Sequence, residues 1–389
     1  MQLCGLDYGF RMHLLPLVRW CMQAGFEVCC CGPRGSFHRD VIARGHRYIE
    51  VPFTRNMDLM NHLRCLRRLI GVLREERIDI LHTHSLIGGV LGRVAARRAG
   101  VPLSIYTAHG FRFHPGQNPL ARQFYVACER LGSRYTDFLF TQNKEDREAA
   151  VRFGLAPAHR IRVIGNGVEV RRFQRDTIPP VALDRVREEL SIPEGATVIT
   201  TIVRPTREKG AVQFIKMANR VAELRADTCF LAVLAPIENE RHSIRETLVR
   251  QPHTPNLRIL GYRTDVPTLL ALTDIYVQAS QYEGLARALM EAMVSGATPV
   301  VSDVRGNREM VTHGETGLLA PYGDIDAFVG ALVHLVDDSV RRVRIGQRAR
   351  GFALKHYDEN AMLGEQVRVI RELAVERFGA RAERSLSEV

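Results

Sequence analysis

Short apolar runs alternate along the whole chain with stretches whose apolar positions recur every three or four residues. In the first half the runs lie at 2–5, 26–31, 79–82, 103–107, 137–141 and 161–164; in the second they lie at 197–203, 229–234, 257–260, 274–278 and 298–302. Each is short, bounded by polar or glycine-containing segments, and reads as a strand; the stretches between read as helices. Strand–helix alternation of this kind predicts parallel sheets with helices on both faces. Two sets of strands imply two doubly wound domains, and the join is expected at Ile164-Gly165-Asn166-Gly167-Val168, where two glycines flank an asparagine. Ligands of such sheets sit beyond the carboxyl ends of the strands, so a crevice between two facing domains is the expected site. The first strand, Met1-Gln2-Leu3-Cys4, is short; it reflects either a late start site or simply a short strand. The loop Gly5-Leu6-Asp7-Tyr8-Gly9 follows, with helical periodicity from near Met12.

A chain of 389 residues suits two domains better than one. No apolar stretch is long enough to cross a bilayer and no secretory signal pattern is present, which predicts a cytoplasmic protein. The eight cysteines show no metal-ligand spacing. Cys29, Cys30 and Cys31 fall in the run 26–31, where neighbouring side chains point to opposite faces, and read as small buried hydrophobes in a reducing compartment. Charge changes the picture more. Residues 1–168 carry 24 Lys and Arg against 13 Asp and Glu, whereas the remainder balances at 30 against 30. The net +11 therefore belongs to the first half and points to an anionic partner: a membrane surface, a nucleic acid or a phosphate-bearing acceptor.

Candidate chemistry is densest at 280–296. Glu283 precedes Gly284 at a loop-to-helix junction, and Glu291 lies nearly two turns into an apolar-faced helix that ends at Gly296. A helix start offers free N–H groups and a positive dipole end, which suits an anion. A carboxylate beside it suits hydroxyls, so the pair describes a sugar nucleotide. Arg204-Pro205-Thr206-Arg207-Glu208-Lys209-Gly210 follows the strand 197–203, and Arg204 and Lys209 could clamp a diphosphate; the plainer alternative is a solvated basic turn. His109-Gly110 and His82-Thr83-His84 end strands in the basic half. No carboxylate or cysteine completes a metal site there. A histidine at a strand's carboxyl end serves better as a hydrogen-bonding or acid/base group, with a purely structural role as the alternative. Residues 57–77 form a basic amphipathic helix with Met60, Leu63, Cys65, Leu66, Leu69, Ile70 and Leu73 on one side and Arg64, Arg67, Arg68, Arg74 and Arg77 around the rest. This is either an ordinary surface helix or one that docks on an anionic leaflet. Gly314 to Pro321 reads as a tight turn and a short strand.

Taken together, Glu283-Gly284-Leu285, Glu291-Ala292-Met293, Arg204 with Lys209-Gly210, His109-Gly110, Asn166-Gly167-Val168, Gly306 with Glu309 and Gly314 to Leu319 resemble the retaining glycosyltransferases of family 4. The likeness runs from about Leu14 to about Glu372 and implies the GT-B architecture of two facing Rossmann-like domains with a deep cleft. On this pattern 1–168 is an acceptor-side domain, 169–355 binds the nucleotide sugar, and 356–389 is a helix returning to the first domain plus a tail. The resemblance implies that Arg204 and Lys209 contact the donor diphosphate, that Glu283 faces the donor sugar, and that Glu291 holds the ribose. The backbone at Gly284, Leu285 and Ala286 would meet phosphate and sugar, and Tyr262 and Arg263 are counted with the donor contacts. His109 would lie near the transferred sugar and is grouped with Glu283, Arg204 and Lys209 as catalytic, while Gly9 and His84 border the acceptor. The sequence departs from the family pattern at Val203, Leu234-Ala235-Pro236, Ala286 and Arg305, all in loops expected to line the nucleotide.

The implied reaction is transfer of a sugar from a nucleotide sugar, a UDP-sugar, to a saccharide or polyprenyl-diphosphate-linked saccharide in bacterial surface polysaccharide synthesis. It requires no metal cofactor and uses peripheral contact with an anionic membrane at its inner face. A sugar-nucleotide epimerase or hydrolase on the same fold would consume donor without an acceptor. A nucleotide-sensing or nucleic-acid-binding protein would use the basic half, but aromatic content is low and no RNA or DNA motif is present, so no nucleic-acid partner is expected.

Overall fold

The fold is given by a computed structural model that describes residues 1–10, 14–35, 38–54, 58–114, 116–235, 244–250, 252–379 and 382. The helix onset near Met12, residue 57 of the basic helix and Pro236 lie outside the described residues. The chain forms two compact units: Met1–Gly165 with Ala361–Val389, and Asn166–Asn360.

The first unit is built on seven parallel strands: β1 (Gln2–Cys4), β2 (Cys29–Gly32), β3 (Arg47–Glu50), β4 (Ile80–His84), β5 (Leu103–Ala108), β6 (Phe138–Thr141) and β7 (Ile161–Val163). Their order is β3-β2-β1-β4-β5-β6-β7. Each crossover carries a helix that covers one face of the sheet. The sheet is accordingly covered on both faces, and Cys30 and Cys31 enter different clusters: Cys30 packs with Phe10, Leu14 and Val18, Cys31 with Leu3, Leu69 and Leu81. Burial pushes the thiols of Cys4, Cys21 and Cys30 up to about 11, 12 and 12, so they behave as small apolar groups. The helix Glu359–Phe378 contributes Leu363, Val367 and Ile370 to the core that contains Cys30.

Three expectations change here. Strand β2 begins at Cys29, not at residue 26; Phe26 and Val28 still pack on the core but without ladder bonds. An additional edge strand, β3, pairs with β2 through Arg47-Tyr48-Ile49-Glu50. Its charged ends face solvent, as suits an edge, and hide it from an apolar-run search. On the helix Leu59–Glu75 only Cys65, Leu69 and Leu73 are buried; Met60 and Leu63, read as part of the apolar side, are exposed.

The second unit holds six parallel strands, β8 (Thr197–Val203), β9 (Thr228–Leu234), β10 (Leu257–Leu260), β11 (Ile275–Gln278), β12 (Thr298–Ser302) and β13 (Leu318–Ala320), in the order β10-β9-β8-β11-β12-β13. Strands β8, β9 and β12 read as near-continuous apolar or β-branched runs because both faces are covered. The helix Ala211–Leu224 buries Phe214, Ile215, Met217, Ala218 and Val221 against one face, each large side chain worth roughly 1.5–3 kcal/mol. In both sheets the strand order reverses beside the first strand, between β1 and β4 and between β8 and β11, and it is at such switch points that ligands of doubly wound sheets bind.

Candidate active site

At the switch point of the second unit two loops meet. After β8 the chain runs through Arg204 to a short 3-10 turn at Arg207–Lys209, closed by Gly210 in the left-handed region. After β11 it runs through Ala279–Leu285 into the helix Arg287–Ser295. The backbones lock together where Gln281 N–H donates to Glu208 O at 2.8 Å. A Cβ on Gly210 would stand 2.4 Å from Ala279 O, so the approach needs glycine. This docking brings Lys209 Nζ to 2.8 Å from Glu283 Oε1, with both side chains largely buried. Lys209 also stands 5.4 Å from the centre of the Tyr282 ring.

Arg204 lies in the same loop, one residue past β8, and is half-buried. The helix Arg287–Ser295 starts at Ala286 without a side-chain cap, which leaves its first N–H groups oriented for an anion. Leu285 turns its side chain into the core, while its carbonyl accepts from Asn166 Nδ2 at 2.9 Å. Gly284 is pressed against Gly306, whose φ of +86° and ideal Cβ position 1.6 Å from Gly284 O leave room for no other residue.

Glu291 is held further along the helix. Burial raises its carboxyl above the usual range, while Arg287 and Arg172 pull it back down. Arg287 itself is committed: its Nη1 donates to Gly167 O and to Glu359 Oε1, each at 2.8 Å. Tyr276 lies beneath, its hydroxyl donating to Ile202 O at 3.3 Å. The sequence singled out none of Arg172, Arg287, Tyr276 or Asn166 for their contacts here, because each contact depends on packing between distant segments. Tyr262 and Arg263 follow β10, the edge strand, two strands from the switch point. The Arg263 fork is held by Asp265 at 2.6 Å and Glu189 at 2.5 Å, so a donor would have to displace two carboxylates to engage it. Tyr262 is exposed.

In the first unit the corresponding switch point lies between the loops after β1 and β4. Gly5 N–H donates to Ser85 Oγ at 3.2 Å, and Gly5 and Gly88 pack backbone to backbone at the start of the helix Leu86–Ala99. Gly9 is buried beside Cys4, where an ideal Cβ would stand 2.6 Å from Cys4 Sγ. His82 and His84 lie within β4, not beyond its end, and both are buried. His82 Nε2 bonds Thr107 Oγ1 at 2.7 Å. His84 Nδ1 lies 3.0 Å from His109 Nε2, and Gln142 Nε2 lies 3.1 Å from His109 Nδ1. Desolvation pulls the imidazoles of His82 and His109 down to about 3 and about 4, so both are neutral near pH 7. Among the described residues no three His, Cys, Asp or Glu side chains are grouped to hold a metal.

Two family models cover most of the chain: a glycosyl transferase 4-like domain over residues 9–167 and glycosyl transferases group 1 over 184–352. The UDP-Gal:alpha-D-GlcNAc-diphosphoundecaprenol alpha-1,3-galactosyltransferase of Escherichia coli is 31% identical over 296 residues, covering 74% of each chain. The chain belongs to the group 1 glycosyltransferases. The putative glycosyltransferase EpsD of Bacillus subtilis is 29% identical over 361 residues, covering 90% of each chain. In architecture this glycosyltransferase matches HepE of Anabaena, crystallised with UDP and glucose, at 18% identity and a TM-score of 0.78 over 96% of this chain and 100% of that one. Two parallel Rossmann-like sheets of seven and six strands are the GT-B fold.

Proposed function

We propose that this glycosyltransferase moves a hexosyl group from a UDP-sugar, with retention at the anomeric carbon, onto a saccharide carried on polyprenyl diphosphate in surface polysaccharide synthesis. The observation that carries the reading is the Lys209–Glu283 pair, 2.8 Å apart at the switch point beside the uncapped helix start. It sets a cation and a helix dipole for the diphosphate next to a carboxylate for the sugar hydroxyls. The E. coli relative's name gives a UDP-sugar donor and a diphosphoundecaprenol-linked acceptor, and supports both choices.

In the reaction the bond from the sugar's anomeric carbon to the diphosphate breaks, and its electron pair leaves with the nucleotide diphosphate. The acceptor hydroxyl bonds to the same carbon and gives its proton to the departing diphosphate. Arg204, Lys209 and the start of Arg287–Ser295 stabilise the negative charge that grows on the leaving group, and no metal cofactor is required. Glu283 orients the sugar hydroxyls and Glu291 accepts from the ribose. A thermal-unfolding screen against a panel of nucleotide sugars tests the donor class. A true donor at a hundred times its dissociation constant should raise stability by about 2.7 kcal/mol. A panel in which none stabilises the protein would remove the reading.

Peripheral attachment at the inner face of the membrane belongs to the same proposal. Leu59, Met60 and Leu63 are exposed at the start of the helix Leu59–Glu75, with Arg64, Arg67 and Arg68 beside them. Each basic residue near an anionic leaflet adds roughly 1 kcal/mol, giving reversible attachment. No helix among the described residues is long and apolar enough to cross a membrane. In flotation at low salt the protein should rise with anionic vesicles and not with neutral ones; recovery in the soluble fraction with both counts against membrane contact.

A further inference from the structure

In the second unit two adjacent strand ends are tied together beside the loop that carries Glu283. Gln278 ends β11 and Ser302 ends β12. Gln278 Nε2 donates to Asn307 Oδ1 at 3.0 Å, and Asn307 Nδ2 donates to Ser302 O at 2.9 Å. Ser302 Oγ in turn donates to Ser280 O at 2.5 Å. All four residues are buried.

A backbone carbonyl can only accept, so Ser302 O requires the nitrogen of the Asn307 amide, and the amide oxygen must then face a donor. Gln278 supplies it. The two bonds fold the turn after β12 back onto the strand ends. Gly306, the residue before Asn307, is lodged there against the Glu283 loop: an ideal Cβ on it would stand 1.6 Å from Gly284 O and 3.0 Å from Glu283 O. Ser302 meanwhile holds the carbonyl of Ser280. The segment from Ser280 to Gly284 is therefore held at both ends by residues of β12 and the turn after it. Between these holds Gln281 N–H donates to Glu208 O at 2.8 Å. Buried networks of this kind fix one backbone arrangement.

We propose that Gln278, Ser302 and Asn307 are positioning residues that fix the backbone around Glu283 and so set which donor sugar its carboxylate accepts. The proposal rests on the reading of Glu283 as the residue that faces the sugar. A carboxylate tells one sugar from another by which hydroxyls reach it, and a hydrogen bond weakens steeply once its distance or angle is lost. On the same reading Arg204, Lys209 and the helix start hold the diphosphate. A loosened loop should therefore cost sugar choice and leave the nucleotide bound. Sequence reasoning singled out none of the three residues; Gln278 and Asn307 are 29 positions apart and meet only because β11 and β12 are neighbours.

Asn307→Leu keeps the branched shape of the side chain but neither donates nor accepts, and Ser302→Ala removes only a hydroxyl. Hydrogen exchange read by mass spectrometry should rise at least about fivefold across residues 280–285 in Asn307→Leu, and less in Ser302→Ala, with the helix Ala211–Leu224 unchanged. Titration calorimetry with UDP, UDP-glucose, UDP-galactose, UDP-N-acetylglucosamine and UDP-N-acetylgalactosamine reads the consequence. Both variants should bind UDP within about twofold of the wild type, while the spread of affinities among the four UDP-sugars shrinks at least about threefold in Asn307→Leu. Wild-type exchange across 280–285 in both variants would overturn the proposal, as would an unchanged ranking of the sugars once the loop has loosened. Should Asn307→Leu loosen the whole unit, Ser302→Ala, which opens no large cavity, decides by the same two readings. If the wild type binds the four UDP-sugars alike, the placement of Glu283 against the sugar is wrong, and the exchange result still decides whether the network holds the loop.

Discussion

Lys209→Ala is expected to lower turnover by about a hundredfold or more while leaving the fold intact. Lys209 is largely buried, sits at the end of a turn fixed by Gly210, and meets Glu283 at 2.8 Å. A preorganised donor aimed at charge that grows in the transition state is typically worth about 3–4 kcal/mol, and each 1.36 kcal/mol is a tenfold rate factor. The side chain's neighbours are polar and near a loop, so removing it opens no large apolar cavity. Its loss also leaves Glu283 without its cation, which should loosen the sugar-facing carboxylate and add to the defect. Lys209→Arg restores the charge but not the point geometry, and should recover activity only in part. Steady-state kinetics with matched unfolding curves checks this. Normal transfer by a well-folded Lys209→Ala would remove Lys209 from the chemistry.

The second large effect concerns stability. Breaking the buried pair Arg93–Glu129 by Glu129→Ala should cost about 3–5 kcal/mol. Both side chains are almost fully buried, with Arg93 Nη2 at 2.9 Å from Glu129 Oε2. Glu129 Oε1 accepts from the Tyr106 hydroxyl at 2.9 Å, and Arg93 Nε donates to Gly89 O at 2.8 Å. The guanidinium lies 3.8 Å above the Tyr106 ring and against Gly132, where even a Cβ would intrude. Removing the carboxylate leaves an unpaired cation in a space shaped for it. Replacing both partners by apolar residues of similar volume, as in Arg93→Met with Glu129→Leu, should destabilise much less than Glu129→Ala alone. Urea unfolding of the single and double variants decides the matter; equal losses would mean that packing, not charge pairing, holds the cluster.

What could be read from the sequence was local. The turn from Arg204 to Gly210 was legible because a β-branched strand, three basic residues, a glycine and an apolar-faced stretch follow one another, and that stretch is the helix Ala211–Leu224. Gly296 at the end of Arg287–Ser295 was legible for the same reason, since a helix end favours the left-handed region it adopts. The opposite facing of Cys30 and Cys31 followed from strand geometry alone.

What could not be read depends on crossovers. Lys209 and Glu283 are 74 positions apart, and only the adjacency of β8 and β11 makes them neighbours. The Arg93–Glu129 pair and the contact between His84 and His109 need helices and strands in register, which no spacing within one segment encodes. The hold of Glu189 on Arg263 belongs with these, since the two residues are 74 positions apart. Strand β3 escaped because an edge strand needs neither two buried faces nor an apolar run.

The most direct measurement compares the affinities of UDP and uridine for the wild type and for Lys209→Ala by titration calorimetry at fixed salt. The wild type should bind UDP far more tightly than uridine, and Lys209→Ala should lose most of that preference while its weak affinity for uridine stays the same. A wild type that does not distinguish UDP from uridine, or a variant that distinguishes them as well as the wild type does, would contradict a diphosphate seated on Lys209.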